Sequence, residues 1–146
     1  MGKAEKFLEH ADAIGRGLRD IGQVSKESGV SVKMVRHYEA IGLLKDVART
    51  YANYRVYSDK NLHTLRFIKR ARNLGFSIED IRALLSLWQN KSRPSASVKK
   101  IAASHMDELK RKIAEMQSML TTLEHLTRHC HGDQRPECPI LEDLAA

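Results

Sequence analysis

Ile21-Gly-Gln-Val-Ser-Lys-Glu-Ser-Gly-Val-Ser-Val-Lys-Met-Val-Arg-His-Tyr-Glu-Ala-Ile-Gly42 decides the fold. Its first eight residues read as a short helix stopped at Gly29, since glycine adopts the left-handed conformation of a tight turn without a Cβ penalty. Ser31 is placed to N-cap a second helix over Val32 to Ile41, closed by Gly42. Val24, Val30, Val35 and Ile41 fall where they can share a small core. Two short helices joined by a glycine-containing turn, the second rich in polar groups, make a helix-turn-helix.

Downstream, Arg49-Thr-Tyr-Ala-Asn-Tyr-Arg-Val-Tyr57 reads as a two-stranded wing turning at Asn53, with Tyr54, Arg55 and Val56 alternating as in a half-buried strand. Ser58 or Asp59 then caps a helix whose inward face is Leu62, Leu65, Ile68 and Ala71, ending at Gly75. Ser77-Ile-Glu-Asp80 resembles a capping sequence for another helix, ending near Trp88, itself expected in the core. After a loop over 90–94, one helix dominates from Ser95 or Ser97 to about Arg128. Ala102, Met106, Leu109, Ile113, Met116, Leu120 and Leu123 step alternately by four and three, and Thr127 and Cys130 continue the steps. A seam of that length needs a partner, for which a second copy of the same helix is the simplest and the chain's own domain the alternative. Upstream, Phe7, Leu8 and Ile14 offer one weak helical face that Gly15 and Gly17 end, so residues 1–20 are expected to form a frayed or disordered extension.

The expected order is therefore an extension (1–20), a DNA-binding domain (21–90), a dimerisation helix (95–129) and a terminal loop segment (130–146). The fold class is mainly α, a winged helix-turn-helix followed by a long helix. Charge supports the division. The chain of 146 residues carries a net charge of +7, yet residues 21–100 hold sixteen basic and six acidic side chains while residues 101–146 hold five and eight. A basic block beside an acidic segment is the distribution of a nucleic-acid face with an accessory element. There is no apolar run long enough to span a bilayer and no signal-peptide pattern, so the expectation is a cytoplasmic protein with no membrane partner.

Two features carry chemistry. On the second helix, Lys33, Arg36, His37 and Tyr38 are candidates for a major-groove surface, with Arg49, Tyr54, Arg55 and Tyr57 of the wing as phosphate contacts. At the far end, Cys130-His-Gly-Asp-Gln-Arg-Pro-Glu-Cys138 holds both cysteines of the chain, with Gly132 and Pro136 shaping a turn that brings the sulfurs together. A thiolate pair suits a soft monovalent ion such as Cu(I) in two-coordinate geometry. Zinc normally takes four ligands, which His129, His131 and Asp133 could extend to, so a zinc regulator stays open, as does a copper buffer or chaperone. No Gly-rich phosphate loop or nucleophile arrangement points to an enzyme.

Ile21-Gly-Gln-Val, Arg36-His-Tyr-Glu39, Ile41-Gly-Leu, Arg49-Thr, Tyr54-Arg-Val-Tyr57 and Leu65-Arg-Phe-Ile-Lys-Arg-Ala-Arg-Asn-Leu-Gly-Phe76 resemble the MerR family of transcription regulators. The tail from Cys130 to Ile140 resembles the copper-efflux branch of that family, of the CueR and HmrR type. The resemblance implies a homodimer with antiparallel long helices, each metal loop near the partner's Ser95. It further implies binding of an over-long promoter shared with RNA polymerase, which the metal-loaded protein bends and untwists, an indirect readout of DNA shape. In such proteins a serine at the position of Ser95 goes with sensing of Cu(I), Ag(I) and Au(I). His37 departs from the usual aromatic, and Asn53 from the usual wing glycine.

Overall fold

Asp20 opens the first helix. The Gln23 backbone N–H donates to its carboxylate at 2.7 Å, and α1 runs Ile21–Ser28. Gly29 ends it at φ 73°, with its N–H donating to the Ser25 carbonyl at 2.9 Å. A side chain there would be strained at this positive φ, which is why glycine suits the position, while the nearby Lys69 ammonium end could swing aside. Ser31 accepts the Met34 N–H at 3.2 Å and starts α2, Val32–Ala40, which stops one residue before the expected end, with Ile41 as its C-cap. Ser58 and Asn61 form a reciprocal capping box on α3, Asp59–Asn73. Asn61 is buried, and its amide also donates to the Lys45 carbonyl at 3.0 Å, so its burial leaves no polar debt. Ser77 caps α4, Ile78–Gln89.

These elements belong to the first of two units, which ends at Pro94; the second runs Ser95–Ala146. The computed structural model describes residues 16–146 and the backbone of Phe7–Leu8. In the first unit, the apolar faces read from sequence meet in one cluster. Val24, Val35, Leu65, Ile68 and Ile81 are wholly buried, Val30, Leu62 and Ala71 nearly so, and Ile41 packs against them half-buried. Each fully buried Leu or Ile stabilises the fold by roughly 1.5–3 kcal/mol relative to exposure.

The wing strands, β2 (Ala48–Thr50) and β3 (Arg55–Val56), pair antiparallel across a turn in which Asn53 takes φ 68°. Asparagine tolerates that conformation better than any residue except glycine, so the turn forms without one. A third strand, β1 (Phe7–Leu8), pairs parallel with β2. Phe7 and Leu8 thus lie in extended backbone rather than on the expected helical face, because β2 offers an open edge whose backbone groups need partners. Ile14, the third member of that face, lies outside the described residues. Arg19 exchanges two backbone hydrogen bonds with Tyr57, at 2.8 and 2.7 Å, while its guanidinium pairs with Glu27 and, at 2.7 Å, with Asp59. Arg19 and Asp20, assigned by sequence to the extension, are therefore bound into the domain, Asp20 as the local N-cap of α1 and Arg19 by contacts to distant residues that no local pattern reveals.

Trp88 also departs from expectation. It stacks on Phe67 with ring centroids 4.7 Å apart and planes 11° from parallel, yet remains 41% exposed. It sits in the last turn of α4 and lines a hollow of about 390 Å³ together with Lys60, His63 and Thr64.

In the second unit, α5 spans Ser95–His129, a length of about 52 Å at 1.5 Å per residue. Arg111–Glu115, Lys112–Glu108 and Arg128–Glu124 pair at i,i+4 along its polar faces. Met106, Ile113, Met116, Leu120 and Leu123 of the heptad seam stand exposed, whereas His105 is buried. A short helix not foreseen from sequence, α6 (Pro139–Ala145), follows the cysteine loop, with proline at its first position where a missing N–H costs nothing. Among the described residues no helix is long and apolar enough to cross a membrane.

Candidate DNA interface and metal centre

On α2 the side chains divide by the helical repeat. Lys33, Arg36 and His37 are exposed, while Val35 and Tyr38 turn into the core. Tyr38 is 5% exposed and Tyr57 fully buried, so the rings of these two expected DNA contacts pack in the domain core rather than standing on its surface. The period of each element carries both rings inward. Among the described residues the Tyr57 hydroxyl finds no hydrogen-bond partner, and burial, reinforced by the nearby Glu39 carboxylate, pushes its pKa up to about 12.

Of the remaining candidates, Arg36, Tyr54 and Arg55 line a concavity of about 580 Å³, whereas Lys33, His37 and Arg49 lie outside its lining. It is lined by the start of α1 (Asp20 to Gly22), by Arg36 of α2, and by Thr50 to Arg55 of the wing. Arg55 reaches across to α2, its Nε 2.7 Å from Glu39 Oε2, an ion pair whose angle falls outside hydrogen-bond geometry. Arg49 Nη1 donates to Asn53 Oδ1 at 2.9 Å and so braces the wing turn. Tyr54 is exposed at the wing tip as expected, and so is Tyr51, which the sequence reading passed over although it lies in the same tyrosine-rich turn. Cationic side chains, phenol hydroxyls and the N-terminal end of a helix around one hollow are the groups that hold a phosphate backbone.

The cysteine loop is built from the end of α5. The Cys130 N–H donates to the Thr127 carbonyl at 3.2 Å, Gly132 turns the chain at φ 66°, and Asp133 accepts from the Arg135 N–H while pairing with its guanidinium, both at 2.9 Å. The chain then returns to Cys138, the N-cap of α6. Both cysteines are free thiols and half-buried, and Cys130 lies near enough to Cys138 to influence its ionisation. The Cys138 pKa is lowered, first by the Leu141 backbone N–H and further by those of Ile140 and by Cys130. These N–H groups face the sulfur from the first turn of α6 without closing to a regular cap hydrogen bond. Their effect on the thiolate is the one a helix start exerts on any adjacent anion. The donor set thus fits a soft cation: two sulfurs together, one of them already biased toward its charged form.

His129, His131 and Asp133 do not join them. Among the described residues, no group of three or more His, Cys, Asp and Glu side chains comes together. Ser95 is exposed at the first position of α5, the opposite end from the cysteines.

A family profile described as MerR HTH family regulatory protein matches residues 20–88, and one described as MerR, DNA binding matches residues 62–126. The chain is 58% identical over 127 residues to heavy metal-dependent transcription regulator 1 of Rhizobium meliloti, covering 86% of each. It is 36% identical over 126 residues to the transcriptional regulator CueR of Salmonella typhimurium, covering 86% of this chain and 91% of the other. Among solved structures, the regulator PbrR691 of Ralstonia metallidurans in complex with lead(II) superposes with a TM-score of 0.76 at 32% identity, over 86% of this chain and 98% of that one. On the strength of these matches, the chain belongs to the MerR family of transcription regulators, DNA-binding proteins that are not enzymes.

Proposed function

We propose that this protein is a Cu(I)-responsive regulator that binds promoter DNA as a homodimer beside RNA polymerase and activates copper-efflux or detoxification genes. Silver(I) and gold(I) share the chemistry that selects Cu(I). The observation that carries the reading is the approach of Cys130 and Cys138, with the Cys138 thiol biased toward thiolate. A bound soft cation would supply the bond that ties the two ends of the loop together. Two thiolates around a monovalent ion leave a net charge of −1, and the helix start of α6 offsets it.

Ser95 and the cysteines lie at opposite ends of a helix about 52 Å long, so one chain cannot bring them together. Antiparallel pairing of two seams would place each loop beside the partner's Ser95, where a hydroxyl adds no third thiolate for a divalent ion. Lys33, Arg36 and His37 would face the major groove, and Arg49, Tyr54 and Arg55 the flanking phosphates. A regulator at a promoter acts in the cytoplasm.

One observation favours a divalent-ion regulator, with zinc held by Cys and His: the similarity to a protein solved with lead(II). X-ray absorption on the loaded protein separates the two. Cu(I) sensing predicts two sulfur neighbours near linear geometry, and four-coordinate scattering with nitrogen would displace it. In transcription, Cys130→Ser or Cys138→Ser is expected to abolish the copper response while the metal-free footprint on the operator persists. A response surviving either substitution rules out the thiolate pair as the sensor. Ser95→Cys is expected to widen the response toward divalent ions, and an unchanged metal profile would remove Ser95 from the site.

A further inference from the structure

We infer that His125 and His129 form a second metal site, separate from the thiolates, for a divalent borderline cation such as Ni(II) or Zn(II). The two histidines are four residues apart on α5, the spacing that sets two imidazoles on one face of a helix and serves as a zinc-binding pair in helical metalloprotease motifs. Their rings already meet, with centroids 4.2 Å apart. His129 Nδ1 lies 2.7 Å from the His125 carbonyl oxygen. A carbonyl only accepts, so the ring proton is on Nδ1 and the lone pair on Nε2 is left for a metal. That backbone contact is the arrangement that fixes the tautomer and orientation of ligating histidines.

Both rings are exposed, and neither occupies a seam position: Leu123, Thr127 and Cys130 run along the seam while His125 and His129 lie on the face turned away from it. Pairing of two long helices through the seam therefore leaves the site open. Neutral imidazole prefers divalent Zn, Ni or Cu over the hard cations. With no third protein ligand gathered there among the described residues, water completes the coordination and affinity stays modest. The site occupies the turn of α5 from which Cys130 hangs, so a cation bound there would clamp the root of the cysteine loop. It does not rest on the Cu(I) reading and stands or falls without it.

The test uses the full chain with Cys130→Ser and Cys138→Ser, which removes the thiolates, titrated with Ni(II) by calorimetry. One Ni(II) per chain is expected, weakened about tenfold or more by adding His129→Ala or, as a second variant, His125→Gln. His131→Ala should leave it unchanged. With nitrogen-labelled histidine, the Nε2 resonances of residues 125 and 129 should move together on Ni(II) or Zn(II) addition. Superimposable titrations with and without His129, or a loss that tracks His131 instead, would overturn the assignment.

Discussion

The helix-turn-helix unit and the long helix obey opposite rules of burial. In the first, Val24, Leu65, Ile68 and Ile81 vanish into a common core, and every helix start carries a side-chain cap. In the second, α5 shows solvent a row of Met, Leu and Ile at heptad spacing, with Ile113 65% and Met116 67% exposed. The first unit satisfies its own hydrophobic requirement, whereas the second leaves its requirement open. On the proposed reading this helix is half of an interface, because apolar area of that extent on one face is stabilising only once covered.

The sharpest way to break this comparison is Ile113→Glu. If the seam is what joins two copies, each dimer would bury two carboxylates in an apolar interface, at a cost no surface ion pair recovers. The expected outcome is a monomer in analytical ultracentrifugation at micromolar concentration, with loss of the operator footprint and retention of the helix-turn-helix fold. A dimer of unchanged stability would place the pairing surface elsewhere. Leu65→Ala tests the other half of the contrast. It opens a cavity in the closed core and should cost about 2–5 kcal/mol in chemical denaturation, with metal affinity of the cysteine loop unaffected. A smaller intervention, Arg36→Ala, removes an exposed cation without touching either apolar system. It should weaken operator binding by about 1–3 kcal/mol and leave the unfolding midpoint in place. A fall in stability would instead mean that Arg36 holds the domain together.

The same contrast explains what could be read from sequence. Period and punctuation located the helices. Gly29, Ser31, Gly75 and Ser77 stand where the structure starts or stops them, and the heptad steps run along one unbroken helix. These signals are local, so a linear reading reaches them. What escaped depended on contacts distant in sequence. Arg19 is held by Tyr57, Glu27 and Asp59, and β1 forms because the wing has an open edge. The metal loop was half legible: two cysteines bracketing a Gly- and Pro-containing turn announced themselves, but α6 did not. The seven residues Pro139–Ala145 are too few for a periodic signal, and Cys138 is a poor capping residue. Among the DNA-contact candidates, Tyr38 and Tyr57 turned out buried, an orientation set by packing against residues distant in sequence.

Tyr57 provides the finest test, because its hydroxyl belongs to neither apolar system nor to the exposed DNA face. Its pKa in the folded protein is raised to about 12 by burial and by Glu39, above the value near 10 of an unfolded chain. Between those two values the unfolded state releases a proton that the native state retains. Stability from this group is therefore complete below about pH 10 and declines as pH rises toward 12, by up to about 3 kcal/mol over the interval. Tyr57→Phe removes both this slope and an unpaired buried hydroxyl, whose loss is neutral or stabilising by about 1 kcal/mol. Parent and variant should denature nearly alike at neutral pH and diverge in alkali, the variant being the more resistant. Operator affinity at neutral pH should not change. A drop in affinity with stability intact would return Tyr57 to the DNA contacts, and parallel denaturation curves up to pH 12 would mean its hydroxyl reaches water.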